Sequence, residues 1–181
     1  MSRFLNQQYQ SLEAYTPGEQ PRDMQYIKLN TNESPYPPAP SVVEAMTGEQ
    51  VELLRLYSDP TAKGLKDKLA GLYGVKPENV FISNGSDEVL NFTFMAFGGN
   101  GAVFPDISYG FYEVYADLYA INAEKIPLES DFSIDYRKYC GKNKLVVIAN
   151  PNAPTGMTIP VRQIEEIVRS NPDSLVLIDE A

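Results

Sequence analysis

The apolar positions follow two rhythms. Short unbroken runs at Val80-Phe81-Ile82, Ala102-Val103-Phe104, Leu145–Ala149 and residues 175–178 have the length and composition of strands buried on both faces. Between them, apolar residues three and four apart predict helices over residues 86–97, 110–119 and 161–169, the first closed by Gly98-Gly99 and apolar enough on most sides to be buried. Residues 123–128 read as a further strand and 134–139 as a short helix. Upstream, apolar residues at 65, 69, 72 and 73 with Lys and Asp between them predict an amphipathic helix that ends at Gly74. From residue 80 onward strand and helix alternate, so the expected fold class is α/β: a mostly parallel sheet with helices on both faces.

The first part of the chain lacks this alternation. Residues 1–30 are polar and broken by Pro17-Gly18 and Pro21, which predicts an arm with at most one short helix and a short strand near residues 26–29. Thr31-Asn32-Glu33-Ser34-Pro35-Tyr36-Pro37-Pro38-Ala39-Pro40 carries four prolines and is expected to be a stiff extended loop, either a linker or a support for Asn32 or Tyr36 at a site. Ser41 is expected to cap a helix over residues 42–46. The domain division read from this pattern is an arm, residues 1–30, followed by a large domain, residues 31–181. The last strand runs into Ala181 without the helix that should cover it, so the domain is expected to be incomplete.

Composition narrows the chemistry. A chain of 181 residues, 43% of them hydrophobic, can bury one sizeable core. Its net charge of -9 argues against nucleic acid or an anionic membrane as partner. Cys140 stands alone, which excludes an internal disulfide, and histidine is absent, which excludes a Ser-His-Asp triad, a Cys-His pair and any histidine metal site. No metal site is expected. The N-terminus has no signal-peptide pattern and no apolar run approaches membrane-spanning length, so the expected location is the cytoplasm.

Three strand ends carry polar turn chemistry, and in open α/β sheets ligands sit at those ends. Ser83-Asn84-Gly85-Ser86-Asp87-Glu88 opens a helix with a glycine and good capping residues, leaving several N–H groups and the helix dipole facing one space, which suits an anion as well as it suits an ordinary helix start. Asp179 ends an apolar strand. A cation would satisfy it there, either the protonated ring nitrogen of a ligand or an arginine from elsewhere, and so would plain solvent. Asn150-Pro151-Asn152-Ala153-Pro154-Thr155-Gly156 fixes its backbone at two prolines and turns at glycine, holding polar side chains rigidly or simply making a tight connection. Tyr109 follows a third strand end, where its ring can stack on a flat ligand or pack on the core.

These motifs, with Tyr57-Ser58-Asp59-Pro60-Thr61-Ala62-Lys63-Gly64-Leu65 and Asp179-Glu180-Ala181, resemble the fold-type I aminotransferases that use pyridoxal 5'-phosphate, and within them the histidinol-phosphate aminotransferases. The resemblance runs from about Tyr15 to the last residue. It implies the large domain of the aspartate aminotransferase-like fold and transamination of histidinol phosphate with 2-oxoglutarate in the full-length protein. It also implies a cofactor phosphate held by Gly85, Ser86 and Asp87, a pyridine ring stacked on Tyr109, and a ring nitrogen paired with Asp179. Tyr57 would reach the cofactor phosphate of a neighbouring subunit in a homodimer, and Tyr15 and Asn32 match positions near the substrate. Many relatives have asparagine directly before Pro-Thr-Gly, contacting the cofactor's phenolic oxygen; Ala153 stands there, and the contact is assigned to Asn152 rather than Asn150.

The lysine that forms the Schiff base in this family lies beyond Ala181, so the chain alone is expected to be inactive. Lys142 and Lys144 enter their strand at the opposite end and cannot replace it. Threonine-phosphate decarboxylase and aromatic amino acid aminotransferase are the alternatives within the same fold. A non-catalytic fragment or binding protein is the alternative outside it. A nucleotide-binding domain is disfavoured by the lack of Gly-x-Gly-x-x-Gly and of the Walker lysine pattern.

Overall fold

One strand, buried at all five positions, carries the sheet: β3 (Leu145–Ala149) lies between β1 (Ala102–Pro105) and β4 (Val176–Asp179), and β2 (Ala123–Ile126) flanks β1. All pairings are parallel, in the order β2-β1-β3-β4. The helices are α1 (Pro40–Ala45), α2 (Glu49–Leu53), α3 (Lys63–Tyr73), α4 (Ser86–Phe97), α5 (Phe111–Leu118) and α6 (Val161–Ser170). This computed structural model describes residues 5–10, 12, 19, 23–24, 26–31, 33–46 and 48–181.

The chain divides into two compact units, one of residues 1–14 and 83–181 and the other of residues 15–82. In the first, side chains alternate across the sheet as strand geometry requires. Ala102, Phe104, Leu145, Val147 and Ala149 join Leu90 and Phe94 of α4 and Tyr112, Tyr115 and Ala116 of α5 in one cluster. Val103, Val146 and Ile148 join Ile126, Ile134, Tyr139, Ile159 and Ile167 of α6 in the other. The sheet is therefore covered on both faces, as the alternation predicts. Each fully buried Val, Leu or Ile contributes on the order of 1.5–3 kcal/mol. Asn171, fully buried after α6, accepts from the amides of Lys142 and Asn143 and donates to the carbonyls of Tyr139 and Ile167, which locks the end of α6 to the turn that leads into β3.

The structure corrects several expected elements. Residues 26–29 and 80–82 are not strands: a short run needs a ladder partner, Ile27 and Leu29 are more than 90% exposed, and the Val80 amide is spent closing the 3-10 turn Pro77–Asn79 on the Pro77 carbonyl. Ser41 does not cap α1. Ala39 takes that position and Pro40 opens the helix, where its missing N–H is not needed. The short helix expected over 134–139 is a single 3-10 turn, Tyr136–Tyr139, capped by the Asp135 carboxylate. α4 is buried only on the face of Leu90, Thr93 and Phe94, while Phe92, Met95 and Phe97 remain exposed.

In the second unit α3 ends at Gly74 as expected, and its start is held from outside the helix, where the Asp59 carboxylate accepts from the amides of Thr61 and Lys63. Among the described residues of this unit only Ala70 is buried. No helix among the described residues is long and apolar enough to cross a membrane.

At the edge where the strands begin, Glu124 accepts from Lys144 at 2.9 Å and also from Lys142, and these two bonds hold its carboxyl below the ordinary value of 4.5. A lowered carboxyl contributes stability that is present above its unfolded value and lost as the pH falls through its folded value. With these side chains about one-third exposed, solvent screens the gain. Glu124→Gln is therefore expected to cost about 1 kcal/mol in urea unfolding at pH 7, and to flatten the decline in stability seen on acidifying the native chain below pH 4.5.

Candidate active site

The order of the strands locates the site. From β1 the chain moves outward to β2 through α5 on one face, and from β3 it moves outward to β4 the opposite way, through α6 on the other face. Opposite directions and opposite faces give both crossovers the same hand, and the order reverses between β1 and β3. At such a reversal the loops leaving the strand ends separate and leave a crevice. The segments there are residues 106–110 after β1, residues 150–157 after β3, and Asp179 at the end of β4.

Asn152 joins the first two. It is fully buried; its Oδ1 accepts from Ser108 Oγ at 2.7 Å, and its Nδ2 donates to the Ile107 carbonyl at 3.0 Å and to Thr155 Oγ1 at 3.2 Å. Its own amide and carbonyl bond Met157 and Gly156 across the turn. Asn150 accepts from the Ile159 amide at 2.9 Å. Both asparagines thus brace the loop, and both carboxamide hydrogens of Asn152 are engaged by protein. Ser108 and Thr155, which sequence reasoning passed over, complete this brace.

Asp179 is half-buried and held from three sides. Its carbonyl accepts from the Asn150 amide at 2.9 Å, its Oδ1 from the Ala181 amide at 3.1 Å, and its Oδ2 from the Tyr112 hydroxyl at 2.7 Å. Tyr112 is a residue of this rim that the sequence reading did not single out. Burial first, then the hydrogen bond to Asp179, pushes its phenol well above the ordinary value of 10, so it stays protonated and donates.

The start of α4 lies within reach of the same group of rings. Gly85 takes φ 82°, a conformation that side chains resist, and as the N-cap it has no side chain to bond the first amides of the helix, for which no capping side chain is found among the described residues. The Glu88 carboxylate instead accepts from the Asn84 amide at 2.9 Å, and the Asp87 carboxylate from the Tyr109 hydroxyl at 3.0 Å. Tyr115 donates to the Asp87 carbonyl at 3.0 Å, and burial with the nearby Asp87 charge pushes its phenol up to about 12. The half-buried Tyr109 ring meets Tyr112 edge-on at 5.6 Å. Asp179, Tyr112, Tyr109 and Asp87 thus form one continuous chain of contacts from the end of β4 to the start of α4.

Of the residues expected at a site, Gly85, Ser86, Asp87, Tyr109, Asn152 and Asp179 all belong to this unit, Asn152 beneath the loop rather than on its surface. Tyr57 belongs to the other unit and is fully exposed. Tyr15 and Asn32 lie outside the described residues. The arrangement brings helix amides, the Tyr109 ring, itself stacked on Phe111 at 5.5 Å, and a carboxylate to one sheet edge, groups suited to a flat ligand with an anionic group at one end and a cationic atom at another.

The chain belongs to the aminotransferase class I and II family, whose model matches residues 24–181. Among curated relatives it is 51% identical to a histidinol-phosphate aminotransferase of Brachyspira hyodysenteriae, over 100% of this chain and 52% of that protein. It is 52% identical to a histidinol-phosphate aminotransferase of Marinomonas sp., with the same two coverages. The chain thus spans about half the length of the curated relatives it matches. Among solved structures it resembles histidinol-phosphate aminotransferase from Sinorhizobium meliloti in complex with pyridoxal-5'-phosphate, with a TM-score of 0.74 and 27% identity over 83% of this chain and 43% of that one. L-threonine-O-3-phosphate decarboxylase from Porphyromonas gingivalis shares the fold, with a TM-score of 0.66 at 22% identity over 78% of this chain and 44% of that one.

Asn152→Ala is expected to destabilise the chain by about 2 kcal/mol, because it strands the Ile107 carbonyl and leaves Ser108 without its acceptor. Urea unfolding of the two proteins measures this.

Proposed function

We propose that the full-length protein containing this chain is a pyridoxal-phosphate-dependent aminotransferase that moves an amino group between histidinol phosphate and 2-oxoglutarate, and that this chain supplies most of the cofactor's binding surface. The observation that carries the reading is the continuous line from Asp179 through Tyr112 and Tyr109 to Asp87 at the head of α4. The residues fit the group. Amides of Gly85, Ser86 and Asp87 at an uncapped helix start suit a phosphate, the Tyr109 ring suits a pyridine face, and the Asp179 carboxylate suits a protonated ring nitrogen. Bound there, pyridoxal phosphate supplies an electron sink for cleavage of a bond at the substrate's amino-bearing carbon.

The residues of the chain divide the remaining work. Asp179 holds a proton on the ring nitrogen by pairing with its positive charge. The amides at the head of α4 fix the phosphate, and the brace at Asn152 keeps the loops after β1 and β3 in place. We assign to Asn152 the contact with the cofactor's phenolic oxygen ahead of Asn150, which requires that it release one of its present acceptors. Tyr57, fully exposed in its own unit, is assigned to the phosphate of a neighbouring subunit in a homodimer, and Tyr15 and Asn32 to the substrate. The cytoplasm is the assigned location.

The reaction also needs a lysine amine as base at the substrate carbon. Lys142 and Lys144 are engaged with Glu124 at the opposite edge. We assign this role to a lysine in a part of the full-length protein following Ala181.

Two measurements test the reading. The full-length protein is expected to form glutamate from 2-oxoglutarate only when histidinol phosphate is supplied, and the 181-residue chain alone to form none. In the full-length protein Asp179→Ala is expected to weaken retention of pyridoxal phosphate by about tenfold or more, followed by dialysis and absorbance, as befits loss of a charged hydrogen-bonding partner. Retention equal to that of the native protein overturns the assignment of Asp179.

A further inference from the structure

Tyr112 touches Asp179 and is fully buried, yet the cofactor reading gives it no task. Its ring is fixed by Phe94 of α4 at 6.5 Å, Phe104 of β1 at 5.9 Å and Tyr109 at 5.6 Å, so helix and sheet together decide where its hydroxyl lies. The hydroxyl donates to Asp179 Oδ2 at 2.7 Å while the Ala181 amide donates to Oδ1 at 3.1 Å. One donor lets a carboxylate swing about its side-chain torsions. Two donors on different oxygens hold its plane, and each oxygen keeps acceptor capacity for a further partner. A neutral phenol does this without cancelling the negative charge, as a lysine or arginine in the same place would.

We propose that Tyr112 is a positioning residue for Asp179, holding the carboxylate in the orientation that pairs with a protonated ring nitrogen. The proposal rests on the cofactor reading above. It requires the effect of the hydroxyl to depend on that nitrogen, which a residue serving only the core would not show.

The test compares affinity for pyridoxal phosphate with affinity for its 1-deaza analogue, in which carbon replaces the ring nitrogen, in the full-length protein. The native protein is expected to prefer pyridoxal phosphate, and Tyr112→Phe, which keeps every ring contact, to lose that preference by about tenfold with little change in affinity for the analogue. Asp179→Asn is expected to abolish the preference, and adding Tyr112→Phe to it to change nothing further. Equal weakening toward both ligands, an undiminished preference in Tyr112→Phe, or a Tyr112→Phe protein whose far-ultraviolet circular dichroism shows loss of the fold, each overturns the role of Tyr112. A native protein that binds neither ligand overturns the cofactor reading itself, while a native preference that survives Tyr112→Phe spares that reading and removes only this inference.

Discussion

The two-sided burial of β3 governs the rest of the structure. Leu145, Val147 and Ala149 face α4 and α5, and Val146 and Ile148 face α6. A slip of one residue would exchange the two sets against helices shaped for the others. With the register fixed, Ala149 pairs with Asp179 and Val103 with Val146, so the ends of β4 and β1 are set relative to the end of β3. The heights of the carboxylate, of the turn carrying Tyr109 and of the braced proline loop at the rim therefore follow from core packing.

Tyrosines of and around α5 transmit that packing to the rim. Residues 109, 112, 115 and 119 recur at close to helical spacing and face α4 and the sheet, and their hydroxyls meet the Asp87 side chain, the Asp179 side chain, the Asp87 carbonyl and the Asn91 side chain respectively. Each ring belongs to the apolar core or packs against it, and three of the hydroxyls end on polar groups of α4 and one on β4. Phenylalanine at these positions would fill much the same space and leave α4, α5 and β4 without their polar fasteners. The acidic first turn of α4 is accounted for in the same way, since hydrogen bonds from Tyr109 and the Asn84 amide engage the Asp87 and Glu88 carboxylates.

The parallel sheet and its covering helices were legible because continuous apolar runs and helical spacing are read directly from the side chains. Leu145–Ala149, 86–97 and 161–169 needed nothing beyond their own residues. Residues 26–29 and 80–82 were misread because a strand is defined by its partner, and composition does not say whether one exists. Ser41 was misread because Pro40 competes for the first helical position. The rim residues were visible as turn chemistry, but their roles as braces were not. Whether the Asn152 carboxamide points to solvent or under its own loop depends on Ser108 and Ile107, more than forty positions away in the chain. Tyr112 was missed for a related reason: a tyrosine in an apolar helix reads as core, and only the fold brings Asp179, 67 residues later, against its hydroxyl. The recurrence of tyrosine along α5 was the available signal.

Glu124 and Asp179, carboxylates at opposite edges of the sheet, are met by different kinds of donor. Where the strands begin, the carboxylate of Glu124 meets two lysines, which more than offset its negative charge. Where the strands end, the donors to Asp179 are a phenol and a backbone amide. These fix the carboxylate in space and leave its charge in place. A carboxylate already paired with lysine or arginine would have little attraction left for another cation, and one left unheld would lose entropy on meeting it. Neutral donors from a rigid core avoid both costs, so the rim can present a fixed carboxylate beside the apolar strands β1 and β3.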